Sequence, residues 1–443
     1  MENGKPSTKA SRGQGSNPRR ESLGEIFTRD FLMLSTINLA MFFGFQMLNI
    51  GLPVYLAQLG AAGQVIGLAT TIMTVMATIV RVFAGALLDR FGRWGMLIGG
   101  AVIMVCAITS FAIFPVVGII LGLRMLHGIG WGVGSTAAST IAADIIPKRR
   151  FAEGMGYFAM TTAISSAIAP AASVAIIQGP GAASMIYVAA GITALSLILS
   201  VIEALIARRA KADRPSSTAA PAESGHAEGA ESKPVEAPAR QGEAPQPQPR
   251  YTGIEALFER RAVVPGVLMF LVNIGFGCIT TFIALHAGDQ GGNGVSAYFL
   301  VYAIVTLVSR PYIGKLIDRY GYRIPAILST LCTAGTLALI GVSTNTLMFA
   351  CAGMFAGLGI GTAMGTFQAM AVANVEPWRR GVATSTYMTA FDLGIAVGSL
   401  VGGFLADAVG YTFMYFTVAL FPIAASIVSA VIIKRGSTRP HAE

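Results

Sequence analysis

Long apolar stretches, separated by short polar segments, follow one another along most of the chain. A helix needs about 20 mostly apolar residues to cross the hydrocarbon core of a membrane. The sequence predicts an all-α polytopic membrane protein with 12 transmembrane helices, at residues 31–58, 64–88, 95–114, 117–143, 154–177, 182–206, 263–286, 294–317, 324–342, 346–373, 381–405 and 411–433.

A polar segment of different composition separates the sixth apolar stretch from the seventh. Residues 210–250 contain seven prolines and no aromatic residue, and Val235 is their only large aliphatic residue. Such a segment cannot bury enough apolar surface to offset the entropy of ordering. We therefore predict five regions: a cytoplasmic tail at 1–30, a six-helix bundle at 31–207, a disordered cytoplasmic linker with a short amphipathic helix at 208–262, a six-helix bundle at 263–433 and a cytoplasmic tail at 434–443.

The overall composition supports a membrane protein. Hydrophobic residues make up 54% of the 443 residues, charged residues make up only 12%, and mean hydropathy is +0.65. Because soluble domains usually carry about 25% charged residues, the composition argues against a soluble enzyme, a coiled coil or a disordered scaffold. The four cysteines lie in apolar stretches without metal-ligand spacing, so we expect neither a metal nor a redox site.

The positions of the basic residues indicate orientation rather than nucleic-acid binding. Of the 31 lysines and arginines, four lie within apolar stretches, and the other 27 lie in the tails or after even-numbered stretches. Cytoplasmic loops of membrane proteins are enriched in Lys and Arg. We therefore expect a multi-pass protein of the cell membrane with both termini in the cytoplasm.

A repeated motif relates the two halves at an offset of 229 residues. Residues 81–92 read RVFAGALLDRFG, and residues 310–321 read RPYIGKLIDRYG. Paired halves of this kind are typical of transporters that bind substrate near the midplane. We therefore predict two pseudo-symmetric bundles, and the repetition favours one shared structural role for Arg81 and Arg310.

The segment Gly85 to Leu97 (GALLDRFGRWGML) resembles the signature of the major facilitator superfamily between its second and third helices. The resemblance covers the apolar stretches, the linker and both copies of the repeat. It implies a monomeric transporter rather than an enzyme, with a small-molecule substrate and protons as partners in the lipid bilayer, no cofactor and no nucleic acid. Arg149 to Phe158 (RRFAEGMGYF) and the run FDLGIAVGS are similar to a bacterial branch of sugar-efflux-like, multidrug and opine-metallophore exporters.

The signature predicts a cytoplasmic gating latch that holds the halves in the outward-open state. Asp89 is placed to cap the N-terminus of the eleventh helix, and the resemblance suggests Asp144 as the partner of Arg93. The alternative is a basic loop that only sets topology and contains a tight turn. The predicted latch comprises Gly85, Asp89, Arg90, Gly92, Arg93 and Asp144, with Gly314, Asp318, Arg319 and Gly321 in the second copy.

The fourth apolar stretch contains Arg124 and His127. An arginine within a membrane span costs at least a few kcal/mol unless it faces water or a partner. We expect Arg124 to face the central cavity, where it handles protons or binds an anionic group. The alternative is a packing arginine bonded to backbone carbonyls. His127 lies three residues on and shares this helix face, in a titrating or a packing role.

Asp392 is the carboxylate that we expect deepest in the membrane. A carboxylate at this depth is a functional-site hypothesis because its desolvation is costly. We predict that Asp392 carries the coupling proton or contacts a cationic substrate, and the alternative is a structural acid. The further residues predicted to line the cavity are Asn38, Gln46, Asn49, Trp131, Asn273 and Gln368.

Together these features predict proton-coupled export of a small organic solute by alternating access. The solute would be a drug, a sugar-like metabolite or a metallophore. An uptake symporter or facilitator on the same fold is the alternative, because motifs do not determine direction. A sensor that transports nothing would be expected to lose its cavity charges, yet Arg124 and Asp392 remain.

Overall fold

The computed structural model describes residues 25–212, 258–290, 294–373, 375–376 and 379–433. The helices of the first half are α1 (Arg29–Gln58), α2 (Gly63–Phe91), α3 (Arg93–Ile113), α4 (Val117–Ile145), α5 (Phe151–Gln178) and α6 (Ala182–Ala212). Those of the second half are α7 (Arg260–Asp289), α8 (Gly294–Tyr320), α9 (Arg323–Val342), α10 (Thr346–Ala356), α11 (Thr362–Ala373), α12 (Arg380–Val418) and α13 (Leu420–Ile432). A π-helical turn, Gly357–Gly361, joins α10 to α11.

Ten helical stretches of the described residues are long and apolar enough to cross a membrane. One of them, Arg380–Ile432, has 53 residues and covers two crossings, which Gly410 separates with a φ of 79°. The apolar part of α8, Gly294–Arg310, supplies one more. The described residues therefore form the predicted 12 crossings, and the all-α polytopic fold is confirmed.

Helix occupies both edges of the region predicted as a linker. The end of α6 reaches Ala212, and α7 begins at Arg260. Residues 213–257, which include most of the predicted amphipathic helix, lie outside the described residues, as do 1–24 and 434–443.

The two copies of the repeated motif share their local structure. Gly92 separates α2 from α3 with a φ of 72°, and Gly321 separates α8 from α9 with a φ of 71°. Such a φ is strained for other residues, so both tight turns need glycine. The guanidinium of Arg90 lies over the ring of Phe91, 5.4 Å from its centroid. In the second copy, the guanidinium of Arg319 lies over the ring of Tyr320 at 5.3 Å. The sequence repeat is therefore a structural repeat.

The helix ends define two faces of the molecule. We call the face that carries Arg93, Arg149 and Arg380 the basic side. We call the opposite face, where α1 ends and α2 begins, the neutral side, because its connecting segments contain no Lys or Arg.

The two halves are in direct backbone contact where α2 crosses α12. A Cβ atom added to Gly67 would lie 2.1 Å from the carbonyl oxygen of Ser399, and one added to Gly403 would lie 2.4 Å from that of Gly63. The Thr71 hydroxyl also donates to a backbone carbonyl of α12 at 2.7 Å. Since these contacts lie toward the neutral end of α2, the halves are closed on that side.

A carboxylate of the second half caps a helix of the first. Asp407 on α12 accepts hydrogen bonds from the backbone N–H groups of Gly63 and Gln64 at 2.7 and 2.8 Å. The N-cap residue of α2 is Ala62, which offers no side-chain acceptor. Asp407 therefore satisfies the free N–H groups and complements the helix dipole from across the seam.

The start of α7 is bound to the residues just before α12 on the basic side. Glu259 accepts from Nε of Arg379 at 2.5 Å and from the backbone N–H of Arg261 at 3.3 Å. Burial raises the pKa of Glu259, but the hydrogen bonds from Arg379 and Arg261 outweigh burial, so its pKa lies below the ordinary value. The carboxylate form of Glu259 therefore stabilises the folded state.

We expect Gly67→Ala to open the neutral side, because the added methyl group would overlap the Ser399 carbonyl oxygen. Spin labels on Gln58→Cys and Val409→Cys, one in each half, measure the separation in a background without exposed cysteines. The variant should give a longer inter-label distance than the parent. Gly99→Ala is the matched control, since its Cβ would meet nothing within 4 Å. The same distance in Gly67→Ala and the parent would contradict the role of this contact.

The Glu259→Gln variant should have a lower unfolding temperature than wild type at neutral pH. The difference between the two proteins should disappear in acid. Since the folded-state pKa lies below the ordinary value of 4.5, the carboxylate's contribution is complete above that value and lost as pH falls below it. Unfolding temperatures in detergent, measured for the variant and wild type across this range, check the prediction. Glu153→Gln, at a more exposed glutamate, is the control. A deficit that does not change with pH would rule out the predicted linkage.

Candidate functional site

An ion pair within the membrane joins the two halves. Asp392 on α12 accepts from the guanidinium of Arg81 on α2 and from the Thr78 hydroxyl, the latter at 3.2 Å. The side chains of Arg81 and Asp392 are 30% and 13% exposed. Between residues that the structure describes, no hydrogen bond or ion pair joins the halves on the basic side of this pair. Among the described residues, the pair is therefore the polar contact between the halves that lies nearest the basic side.

Helix packing fixes the position of Asp392. Asn273 on α7 donates to the backbone carbonyl of Phe391 at 2.9 Å. A Cβ atom added to Gly394 would lie 2.6 Å from a carbonyl oxygen of α7, so α7 and α12 are in backbone contact at this level. These contacts on both sides of Asp392 hold it toward α2, where Arg81 reaches it.

Asp392 is a predicted site residue, whereas its partner Arg81 was expected to have a structural role. Arg81 lies ten residues before the end of α2, and Asp392 lies 12 residues after the start of α12. At 1.5 Å per residue, these depths are about 15 and about 18 Å from the basic side. The similar depths of Arg81 and Asp392 could have indicated from the sequence that the two side chains are partners.

Arg310 occupies the position on α8 that matches Arg81 on α2. It is exposed and forms no ion pair with any residue that the structure describes. At the 229-residue offset, the counterpart of Asp392 is Ala163 on α5, which cannot pair with a cation. Among the described residues, Arg81 bridges the halves and Arg310 does not, so the shared role expected for the two arginines is wrong.

A small cavity lies between the halves on the neutral side of the ion pair. Gln46 on α1 donates to the Ser166 hydroxyl at 3.0 Å, and Asn49 donates to Gln46 at 3.1 Å. The cavity measures about 30 Å³, room for about one water molecule. This cavity is therefore too small to hold an organic solute. The lining residues are Gln46, Asn49, Ile50, Ser166, Pro170, Phe276, Thr280, Phe299 and Tyr302.

Four other residues predicted to line a cavity do not line this one. Asn38 donates to a threonine hydroxyl of α5 at 2.7 Å, and Asn273 donates to α12 as described. Trp131 is stacked on a phenylalanine of α1 at a centroid distance of 3.7 Å. Gln368 is half-buried on α11. Asn38, Asn273 and Trp131 each hold two helices of the same half together. Polar and aromatic side chains serve this packing role as readily as they line a cavity.

Arg124 does not face the space between the halves in this structure, contrary to expectation. It is 1% exposed, donates to the backbone carbonyl of Ala69 at 3.1 Å, and lies 3.2 Å from Nδ1 of His127, which is fully buried. A Cβ atom on Gly128 would lie 2.3 Å from the Met73 carbonyl oxygen. Because α2 and α4 approach this closely, a carbonyl of α2 can satisfy the arginine, as the packing alternative requires.

The predicted ion pair between Arg93 and Asp144 is present. It connects the start of α3 to the end of α4, so it joins elements of the same half. Both side chains are partly exposed, at 50% and 38%, and such pairs contribute about 0–1 kcal/mol. The side chains of Asp89 and Asp318 lie outside the described residues. The latch itself stays a prediction.

Two pseudo-symmetric six-helix halves that meet at a charged site within the membrane define a secondary transporter. A sequence profile of the Major Facilitator Superfamily matches residues 34–305 and 266–443. The chain belongs to this superfamily, and it is a multi-span membrane transporter of small molecules, not an enzyme.

Known proteins extend the comparison. The staphylopine export protein of Staphylococcus aureus strain Mu50 is 22% identical over 415 residues, covering 93% of this chain and 97% of that protein. The multidrug resistance protein MdtG of Enterobacter lignolyticus is 28% identical over 169 residues, 37% of this chain and 40% of that protein.

Solved structures show the same fold. The nucleoside transporter NupG aligns with a TM-score of 0.69 at 13% identity, covering 92% of this chain and 100% of that chain. A POT family transporter in complex with 5-aminolevulinic acid aligns with a TM-score of 0.66 at 13% identity, covering 91% and 95%.

Proposed function

We propose that this protein exports a small organic solute across the bacterial cell membrane in exchange for protons. The observation that carries the proposal is the ion pair between Arg81 and Asp392, because a titratable carboxylate lies where the two halves separate. The relatives support the direction, since one is described as an export protein and the other as a multidrug resistance protein.

The basic side faces the cytoplasm in this proposal. Among the described residues, the connecting segments and helix ends that carry Lys and Arg, such as those at Arg93, Arg149 and Arg380, lie on that side, which is the usual distribution for cytoplasmic loops. Because the neutral side is closed, we take this structure as the inward-facing state. The outward-facing state then requires α2 and α12 to separate on the neutral side.

The ion pair provides a physical mechanism for proton coupling. Contact with Arg81 favours the carboxylate form of Asp392, whereas a carboxyl group without its cation in an apolar span favours the proton-bound form. Separation of the halves exposes Asp392 to the outside without Arg81, so it takes up a proton. Return to the inward-facing state brings Arg81 back, and the proton leaves toward the cytoplasm.

The same ion pair limits movement between the inward-facing and outward-facing states when no solute is bound. Separating an ionised Asp392 from Arg81 means pulling apart opposite charges in a medium of low dielectric, which is costly. Solute binding from the cytoplasm must offset that cost. The protein therefore reorients either with a proton on Asp392 or with a bound solute, which is the condition for antiport.

Asp392→Asn should abolish proton-coupled transport, because the amide carries no exchangeable coupling proton. Arg81→Gln should also uncouple transport, because nothing then displaces the proton when the seam closes. The measurement uses inside-out vesicles with an acid interior and follows solute-triggered proton efflux with a fluorescent pH probe. The panel contains dyes, drugs, sugars, amino-acid derivatives and metallophores.

Asp289→Asn is the matched control, since this exposed carboxylate lies at the neutral end of α7, away from the seam. It should keep wild-type coupling. Solute-triggered proton efflux of wild-type size in Asp392→Asn would contradict the mechanism. Substrate-driven proton movement in the opposite direction would instead indicate uptake by symport.

A further inference from the structure

The second seam between the halves, where α5 meets α8, contains Arg310, which pairs with no carboxylate among the residues that the structure describes. Arg310 lies ten residues before the end of α8, the same depth that Arg81 has in α2. This depth is about 15 Å from the basic side. An arginine so deep in a membrane span normally faces water or a partner, so its surroundings indicate its role.

The face of α8 that carries Arg310 is directed toward the space between the halves. Arg310 follows Phe299 by 11 residues, about three helical turns, so the two share one helix face. Phe299 lines the cavity between the halves together with Tyr302. Arg310 therefore lies on the basic side of the cavity, along the path that an entering solute would follow.

The neighbouring helix does not supply a counter-charge. The acidic residue of α5 is Glu153, which already binds Arg150 at 2.6 Å, and Ala163 occupies the position that matches Asp392. Among the described residues, no carboxylate pairs with Arg310. On the other seam the matching arginine has its carboxylate. The described part of the second seam thus leaves this guanidinium without a carboxylate partner.

We infer that Arg310 binds a carboxylate of the transported solute, so that the substrates are small organic acids. This inference rests on the proposed function and adds the substrate class. A guanidinium matches a planar carboxylate through two parallel hydrogen bonds, which a neutral amide cannot reproduce. The amides of Gln46 and Asn49 and the rings of Phe276 and Phe299 offer contacts for the rest of such a molecule.

Equilibrium binding tests the inference without a proton gradient. The full-length protein in detergent is titrated with dansyl-phenylalanine and other dansyl amino acids, and with their carboxamides, while probe fluorescence is followed. Wild type should bind the acids about 10-fold to 100-fold more tightly than the amides, the effect of one charge-assisted interaction. Arg310→Gln should bind acid and amide equally, and Arg310→Lys should keep part of the preference.

Lys315→Gln is the matched control, because Lys315 is an exposed cation on the same helix. Because Lys315 follows Arg310 by five residues, it projects about 140° away from Arg310 around the helix axis. It should keep the full preference for the acids. The protein should likewise keep that preference when phosphatidylcholine or phosphatidylglycerol is added to the detergent.

Three results would overturn the inference. The first is a preference for acids that survives Arg310→Gln. The second is the absence of binding by any acid in the series up to about 10 mM, above the usual range of transport and enzyme affinities. The third is Arg310-dependent binding of phosphatidylglycerol without binding of the acids, which would assign this guanidinium to a lipid phosphate. Because binding needs no gradient, a failure of proton coupling in vesicles is a separate result.

Discussion

The contact between Arg81 and Asp392 is the interaction on which the arrangement of the two halves depends. Each partner belongs to a different half, and both lie well inside the membrane. A buried charge is tolerated when an opposite charge and further hydrogen bonds compensate its desolvation. The compensation exists here only while α2 and α12 are together. The protonation state of one carboxylate is thereby linked to the relative position of the halves.

The rest of the seam brings these two groups together. Backbone contact at Gly67 and Gly403 allows α2 and α12 to approach closely, and Asp407 binds the free N–H groups at the start of α2. The seam thus combines close packing and a helix cap near the neutral side with a charge pair deeper in the membrane. The pair is the component of this set that joins opposite charges of the two halves within the membrane.

Pseudo-symmetry gives the two seams the same geometry but different charges. The arginine recurs as Arg81 and Arg310, while the carboxylate Asp392 is replaced by Ala163. One seam therefore contains its own counter-charge and can respond to protons. The other presents a cation toward the space between the halves. In the proposed mechanism, the seam of α2 and α12 couples protons and the seam of α5 and α8 binds the solute.

The sequence predicted the 12 crossings and the repeat, because apolar length and glycine turns are local properties. It also selected Asp392, since a carboxylate within an apolar span is conspicuous. It did not predict that Arg81 binds Asp392 or that Asp407 caps α2, because both contacts join residues over 300 positions apart. The sequence led us to expect Arg124 in the cavity. The packing of α4 against α2, which the sequence does not reveal, instead lets Arg124 donate a hydrogen bond to a backbone carbonyl of α2.

The most direct test of the central claim is the distance across the neutral side as a function of pH. Labels on Gln58→Cys and Val409→Cys report this distance in the reconstituted protein over roughly pH 5 to 8. We expect wild type to shift from the closed to the open distance as pH falls. With Asp392→Asn the distance should not depend on pH. The same pH-dependent opening in that variant would show that another group controls the seam.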